Sequence, residues 1–259
     1  MSIDRTRALS FDPIAEQYDA VRPAYPDSII DAALAGLSPG ARVLEVGCGT
    51  GKATRHLLAR GCVVDAVEPG ANLAAVARRR AAGDALTVTV GFFEDVAVEP
   101  EAYDLVFSAQ AFHWVDRSAG YAKAHRALRP GGALGLLWNM HPGTEPGFST
   151  DVRAIYAEHA PVMTDRRHSR SLEERVRERT AEIDATGLFG EVAVHRHRFD
   201  THLDTAHYLG LIATYSDHIA LADDARRRLF DGIAELIETC YGGSVTRPYV
   251  ATLYRARRA

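Results

Sequence analysis

The sequence predicts a doubly wound α/β fold around a mostly parallel sheet of seven strands. From residue 42 onward, short and continuous apolar runs alternate with helix-like segments. Such runs are typical of parallel strands that helices cover on both faces. A glycine-rich turn separates the first of these strands from the first of these helices. The 259 residues suffice for one large core with an elaboration.

The first five strands and their connecting helices are predicted between residues 42 and 139. The strands are RVLEV (42–46), CVVDAVE (62–68), LTVTV (86–90), YDLVFSA (103–109) and ALGLLWN (133–139). Helices are expected over 52–60, 71–82 and 120–128, the last closed by an RPGG turn at 129–132.

The remaining chain is predicted to complete the sheet and to cover its edge. Two charged helices (151–159 and 171–186), a strand (191–199), two helices (203–216 and 222–240) and a last, antiparallel strand (247–258) are expected. We interpret residues 1–40 as an N-terminal helical lid, 41–140 as a ligand-binding core, and 141–259 as the rest of one continuous domain. A helical insert at about residues 201–245 would lie over the carboxyl edge of the sheet, where open α/β folds bind ligands.

Composition and charge argue against several classes of protein. The net charge of −4 disfavours a nucleic-acid partner, which usually needs a basic face. No apolar run approaches the ~20 residues that span a bilayer, and the N-terminus is too polar for a signal peptide. Cys48, Cys62 and Cys240 lack metal-ligand spacing and are interpreted as reduced thiols. We expect a cytoplasmic monomer or homodimer without a membrane partner.

The histidines near the C-terminus are not predicted to bind a metal. His195 and His197 would share one strand face, with His202 and His207 nearby. No thiolate or carboxylate accompanies them at ligand spacing, so the prediction is that the protein has no metal site.

The glycine turn GCGTG follows the first strand and carries glycines at Gly47, Gly49 and Gly51. The dinucleotide fingerprint G-x-G-x-x-G would need a glycine at the position of Lys52. The turn is therefore not one that seats a pyrophosphate on a helix N-terminus. Glu45, two residues before the first glycine, suits an ammonium group such as the amino-acid end of S-adenosylmethionine.

A second acid stands at the end of the second predicted strand. Glu68 can accept two hydrogen bonds from the hydroxyls of a ribose. Nicotinamide cofactors and S-adenosylmethionine both contain such a ribose, so Glu68 alone does not choose between them.

Five segments together resemble the class I S-adenosylmethionine-dependent methyltransferases, and within them the small-molecule, trans-aconitate methyltransferase-like group. The segments are FDPIAEQYDAVRPAYP (11–26), VLEVGCGTG (43–51), AVEPGANLAAVAR (66–78), YDLVFSAQAFHWVD (103–116) and LRPGGALGLLW (128–138). The resemblance covers nearly the whole chain. It implies a Rossmann-like sheet, S-adenosyl-L-methionine as cofactor, and a small-molecule substrate.

The resemblance also implies roles for individual residues. The cofactor-binding residues it implies are Tyr18, Glu45, Gly47, Cys48, Gly49, Gly51, Glu68, Pro69, Phe93, Glu94, Ala109 and Gln110. Glu45 and the glycines would line the methionine part, Glu68 the ribose, and residues 91–95 the adenine edge. Phe92 stands where the family commonly has an acid, so Glu94 or backbone would accept from the adenine amine.

Methyl transfer is an in-line displacement, and it needs a general base when the acceptor is a hydroxyl or a carbon. His113, just after the fourth strand, is the candidate base because the pKa of a histidine can be tuned near neutrality. The candidate substrate residues are Arg22, Phe112, Trp114, His141 and Tyr215, with Arg22 suited to an acidic acceptor.

The predicted function is methyl transfer to an oxygen or nitrogen of a small molecule, and a carboxylate is one of the predicted acceptors. Polymer-modifying enzymes commonly carry an Asn/Asp-Pro-Pro-aromatic turn after strand four, and residues 109–112 read Ala-Gln-Ala-Phe instead. A nicotinamide-dependent oxidoreductase is disfavoured by Lys52. An S-adenosylmethionine-binding cyclase or non-methylating protein remains an alternative, because a fold and a cofactor site do not determine chemistry.

Overall fold

Seven strands form one sheet in this computed structural model, which describes residues 5–81, 83, 85–142, 147–163 and 170–259. The strands are β1 (Arg42–Val46), β2 (Val63–Glu68), β3 (Leu86–Val90), β4 (Tyr103–Ala109), β5 (Leu128–Met140), β6 (Ala193–Asp204) and β7 (Ser244–Arg257). Their order across the sheet is β3-β2-β1-β4-β5-β7-β6. Only β7 runs antiparallel to its neighbours β5 and β6, while the other adjacent pairs are parallel. The predicted Rossmann-like α/β fold with an antiparallel last strand is confirmed.

Helices pack on both faces of this sheet. They are α1 (Arg5–Ala8), α2 (Ala15–Val21), α3 (Asp27–Leu34), α4 (Lys52–Leu58), α5 (Ala71–Arg80), α6 (Arg117–Ala127), α7 (Phe148–His159), α8 (Leu172–Asp184), α9 (Thr205–Ala213), α10 (Ser216–Ile219) and α11 (Asp223–Cys240). Short 3-10 turns add Leu9–Ile14, Phe112–Trp114 and Pro161–Met163. Every residue of β4 is buried, as expected for a central strand covered on both sides. No helix in the described ranges is long and apolar enough to cross a bilayer.

The helical insert is shorter than the predicted span of about 201–245. β6 and β7 pair continuously from Ala193↔Arg255 to Asp204↔Ser244, so strand structure extends into both ends of that span. The Asp204 side chain then accepts from the backbone N–H of His207 and caps α9. The insert between the two strands therefore comprises residues 205–243.

The predicted RPGG turn lies inside a strand and does not separate a helix from one. Helix α6 ends at Ala127, and Leu128 already pairs with Tyr103 of β4. The register then shifts before Ala133 pairs with Leu105, which leaves residues 129–132 as an irregular stretch of β5. Gly131 has a φ of 79°, a conformation that glycine adopts without a Cβ penalty.

The order of strands reverses between β1 and β4, and this topology creates a crevice at their carboxyl ends. The N-terminal helices are anchored beside it. Asp12 accepts hydrogen bonds from the backbone N–H groups of Asn72 and Leu73, at 2.8 and 3.0 Å, and so caps α5 from outside the helix. The buried Asp19 lies between Lys52 and Arg80, at 3.9 and 3.2 Å. These contacts hold the N-terminal segment over the crevice.

Candidate active site

A cavity of about 350 Å³ occupies the crevice, between the carboxyl ends of the strands below and the N-terminal segment and insert above. Most of the predicted site residues line it: Tyr18, Arg22, Glu45, Gly47, Cys48, Gly49, Glu68, Pro69, Phe93, Glu94, Ala109, Gln110, His113, Trp114 and Tyr215. These residues come from segments far apart in the sequence, and the sheet topology brings them to one edge.

The glycine turn forms the floor of this cavity through a left-handed backbone. Gly47, Gly49 and Gly51 have φ values of 71°, 56° and 80°, which disfavour any residue with a Cβ. A Cβ on Gly47 would stand 2.3 Å from the Ala111 side chain, whereas a Cβ on Gly49 would meet no atom within 4 Å. The turn at Gly49 thus leaves open space beside its backbone, where a ligand can approach closely.

Gly51, a predicted cofactor-binding residue, is not among the residues that line the cavity. A Cβ there would lie 3.2 Å from the Ala77 backbone of α5. Its N–H donates to the Cys48 carbonyl at 2.9 Å, and the residue then begins α4 in a left-handed conformation. Gly51 therefore serves the turn and the close packing of α4 on α5.

Glu45 and Glu68 are two buried carboxyl groups at the cavity wall, 1% and 5% exposed. Glu45 accepts from the Thr54 hydroxyl at 2.6 Å. The two oxygens of Glu68 accept from the backbone N–H groups of Gly49 and Gly70, at 2.8 and 2.9 Å. Burial raises the pKa of each carboxyl to about 7, with these hydrogen bonds opposing the rise. No basic side chain in the described residues forms an ion pair with either.

The segment after β4 crosses the cavity in a strained conformation. Gln110 has a φ of 61°, uncommon for a residue other than glycine. Its N–H donates to the Leu137 carbonyl at 2.8 Å, and its side-chain amide donates to the Asn139 carbonyl at 3.4 Å. Backbone strain of this kind is retained where surrounding contacts enforce it, often at functional sites. Gln110 joins the ends of β4 and β5 beside the cavity.

The N-terminal segment and the insert meet above the cavity through Arg22. Its guanidinium donates to the hydroxyl and the carbonyl of Thr214, at 2.8 and 2.7 Å. It also lies over the rings of Tyr18 and Tyr215, at 4.9 and 4.5 Å from their centroids. Two of the Arg22 nitrogens are thus committed to the protein. Arg22 therefore links the N-terminal segment to the insert, in addition to the substrate contact predicted for it.

The predicted adenine edge combines aromatic rings with Glu94. Phe93 is largely buried in the core, under the ammonium group of Lys123, while Phe92 lies under the guanidinium of Arg5 at 4.4 Å. Glu94 accepts from the backbone N–H of Asp116 at 2.7 Å. Within the predicted edge of residues 91–95, residues 92–94 border the cavity.

His113 borders the first cavity and also a second one beyond it. Its Nδ1 accepts a hydrogen bond from the indole N–H of Trp138 at 3.3 Å. Because an indole nitrogen can only donate, the neutral ring carries its proton on Nε2. Desolvation, helped by the charges of Arg179, Arg7 and Arg22, lowers the pKa of His113 to about 4. His113 is thus neutral at pH 7, and its remaining nitrogen is a donor. The geometry argues against the predicted role as a general base.

The second cavity, of about 1180 Å³, lies between β5, α6 and α8. His141, a predicted substrate residue, lines this cavity and not the first one. Arginines also line it, namely Arg117, Arg170, Arg175 and Arg179. Their sequence context did not single them out, because arginines among acids are usually interpreted as solvated charge.

Phe112, a predicted substrate residue, has its side chain in the core. It is 2% exposed and packs on Tyr121, with ring centroids 4.9 Å apart. The 3-10 turn at Phe112–Trp114 directs Phe112 inward, while His113 and Trp114 border the first cavity. Sequence reasoning also missed Arg7, Phe11, Tyr25 and Thr50, which line that cavity. The lid motif at residues 11–26 already contained Phe11 and Tyr25.

The C-terminal histidines are separated by their own contacts. His197 pairs with Ser28, His202 with Thr246 and His207 with Asp204. Across the described part of the chain, no group of three or more histidine, cysteine or acidic side chains is arranged to hold a metal ion.

Comparisons with known proteins agree with this fold. Residues 44–136 match the family model of a methyltransferase domain. An uncharacterized methyltransferase of Mycobacterium tuberculosis is 29% identical over 259 residues, covering 98% of each chain. The structure of a proposed type II methyltransferase from Anaeromyxobacter dehalogenans superposes with a TM-score of 0.62 at 25% identity, covering 92% of this chain and 96% of that one.

A further solved structure shows the same fold at greater distance. It is a phosphoethanolamine N-methyltransferase of Haemonchus contortus in complex with phosphomonomethylethanolamine and S-adenosylhomocysteine, with a TM-score of 0.57 and 18% identity. The match covers 98% of this chain but only 58% of that enzyme. The narrower resemblance to the trans-aconitate methyltransferase-like group stays a prediction. The match to the methyltransferase domain over residues 44–136 agrees with the fold and the glycine turn, so this part of the chain is similar to the class I S-adenosylmethionine-dependent methyltransferases.

Proposed function

We propose that the protein transfers the methyl group of S-adenosylmethionine to an oxygen or nitrogen of a small molecule. The observation that carries this proposal is the pair of buried carboxyl groups, Glu45 and Glu68, in a cavity where neither has a basic partner among the described side chains. Buried carboxylates without a cation are costly, so a ligand that brings positive charge and hydroxyl donors complements them.

The residues around the first cavity fit this cofactor at both of its ends. Glu45 would face its ammonium group, and Glu68 would accept from its ribose hydroxyls through lone pairs that Gly49 and Gly70 leave free. The Thr50 hydroxyl is buried without a hydrogen-bond partner and lines the cavity, so it offers a further polar contact. The open space beside Gly49 admits a ligand against the backbone.

The bound cofactor supplies a methyl group already activated by a positive sulfur. The protein then has to align the acceptor with that methyl group and exclude water. The N-terminal segment and the insert cover the site, with Tyr18 and Tyr215 held around Arg22. Trp114 and Phe11 form an aromatic wall on the same side, with ring centroids 6.0 Å apart. These aromatic groups favour a site closed to bulk water.

The acceptor enters at the His113 side of the first cavity in this proposal. The Nε2–H of His113 would hold an acceptor atom by donating a hydrogen bond. A carboxylate or a neutral amine needs no strong base to attack, which suits a histidine whose pKa is lowered to about 4. A nucleic-acid acceptor is disfavoured by the net charge of −4.

Calorimetric titration of the purified protein with S-adenosylmethionine, S-adenosylhomocysteine and NADH tests this proposal. We expect the first two to bind and NADH to leave no heat of binding. Binding of NADH alone would exclude the proposal in favour of an oxidoreductase. If the cofactor binds, labelled S-adenosylmethionine with a panel of small acids, phenols and amines then tests for methyl transfer.

A further inference from the structure

The second cavity carries more positive than negative charge. Its lining contains four arginines (Arg117, Arg170, Arg175 and Arg179) and two acids (Glu178 and Glu182). A concave surface of one sign concentrates ligands of the opposite sign. The excess of two positive charges therefore favours an anion.

Three of these arginines have an acidic partner. Arg179 and Arg117 both pair with Glu182, at 2.6 and 3.2 Å. Arg170 pairs with Glu178 at 2.7 Å, and both of these side chains are more than half exposed. These three guanidinium groups are thus largely satisfied by protein carboxylates.

Arg175 differs from the other three. One of its terminal nitrogens donates to the His141 carbonyl, yet its Nε is buried and has no hydrogen-bond partner among the described residues. Among the residues that the structure describes, no carboxylate lies within ion-pair distance of it. A partly buried guanidinium with unused donors is costly, because its lost hydration is not replaced. Its planar fork matches a carboxylate or a phosphate.

The two cavities meet at His113. Trp138 holds this ring from the side of the second cavity, and the guanidinium of Arg179 lies over the indole at 4.4 Å. His113 is therefore the side chain that the two cavities have in common as a wall.

We propose that the second cavity binds an anionic group of the methyl acceptor, a carboxylate or a phosphate, and that Arg175 is the residue that recognises it. This inference rests on the proposed function, since it assigns the acceptor of the same reaction. His113 positions the acceptor between its anionic end and the cofactor. The acceptor class is thus a small anionic molecule that spans both cavities.

Calorimetry on protein saturated with S-adenosylhomocysteine tests this assignment. The probes are succinate, inorganic phosphate and the neutral diamide of succinate. We expect succinate or phosphate to bind and the diamide to fail, and the better anion identifies the group. Arg175→Gln should weaken that binding at least tenfold and leave the affinity for S-adenosylhomocysteine within twofold. Arg175→Lys, which keeps the charge but loses the fork, should give an intermediate loss.

The control is Arg226→Gln, which removes an arginine that pairs with Asp223 at 2.7 Å and lines neither cavity. We expect a change of less than twofold. Equal losses in both arginine variants, or no binding of either anion to the wild type, would overturn the assignment. So would methyl transfer from the labelled cofactor to neutral or cationic acceptors alone. Failure of S-adenosylhomocysteine to bind would instead reject the proposed function.

Discussion

The two cavities of this protein differ in the buried charged groups that they present, and His113 lines both. The first presents the carboxyl groups of Glu45 and Glu68, and the second presents the guanidinium of Arg175. His113 borders both and is itself neutral, since its pKa is lowered to about 4. Under the two proposals, the protein would sort its ligands by charge, with a cationic cofactor in the first cavity and an anionic acceptor in the second.

The two cavities also differ in how the chain builds them. The acids and the glycine turn come from short motifs at the ends of adjacent strands β1 and β2. The arginines of the second cavity come from α6, from α8 and from Arg170 just before α8, and residues 170 and 175 lie well beyond the motifs. A site made of local motifs is visible in a sequence, whereas a site made by helix packing depends on the tertiary arrangement.

The largest effect is expected at the acid end. Glu68→Gln places an amide group where carboxylate oxygens now accept from Gly49 and Gly70, and it removes an acceptor for the ribose. We expect cofactor affinity to fall by about 100-fold or more, the loss from two or three charge-assisted hydrogen bonds. Calorimetry measures this loss. The exposed Glu191→Gln is the control and should bind normally; equal affinity in Glu68→Gln would mean that the ribose lies elsewhere.

Cofactor affinity should also depend on pH. The raised pKa values of Glu45 and Glu68, each about 7, mean that both carboxyls bind protons below pH 7 in the free protein. A cationic ligand favours their ionised forms, so binding releases protons below pH 7. Affinity should rise with pH by up to about tenfold per unit for each proton released, and level off above pH 8.

Titrations in buffers of different ionisation enthalpy measure that proton release directly. S-adenosylmethionine carries a sulfonium charge that S-adenosylhomocysteine lacks. The affinity for S-adenosylmethionine should therefore depend more steeply on pH. Affinities that stay flat between pH 5.5 and 8 (a range set by the shifted carboxyls) would show that neither acid faces the ligand charge.

A smaller effect is expected where the N-terminal segment is anchored. Asp12→Ala removes the cap that accepts from Asn72 and Leu73 at the start of α5. We expect a loss of about 1 kcal/mol in unfolding free energy, or about 2–4 °C in Tm. Cofactor affinity should fall a few-fold, because Phe11 and Tyr18 reach the cavity from this segment.

The matched control for Asp12 is Asp116→Ala. Asp116 accepts from the Ala119 N–H and caps α6, away from the N-terminal segment. Both variants should lose similar stability, while only Asp12→Ala should lose cofactor affinity. Equal affinity losses would show that the effect is global destabilisation.

The smallest effect on cofactor binding is expected at His113, where the informative readout is spectroscopic. Nitrogen NMR shifts should report a proton on Nε2, with no protonation between pH 8 and 5.5, because the pKa of His113 is lowered to about 4. Trp138→Phe removes the donor to Nδ1 and should allow the proton of the neutral His113 ring to occupy either nitrogen. Titration of His113 near pH 6.5 would restore it as a candidate base.

Sequence patterns predicted the sheet well and the cavity walls unevenly. β1, β3 and β4 coincide with the predicted runs because continuous apolar residues are typical of buried parallel strands. β6 ends later and β7 begins earlier than predicted, at Asp204 and Ser244, since the antiparallel ladder adds strand structure to polar segments. Phe112 and His113 are adjacent in the chain, yet one is core and the other lines cavities.

Residue patterns alone predicted the fold class and the two acidic residues, Glu45 and Glu68, that line the first cavity. Glycines that need positive φ and acids at strand ends act through local geometry, so Gly47, Gly49, Glu45 and Glu68 could be located from the chain alone. The tertiary structure alone decided the protonated nitrogen of His113 and the unsatisfied state of Arg175. The contact between His113 and Trp138 and the contact between Arg175 and His141 each join residues more than twenty positions apart, so they form only in the folded chain.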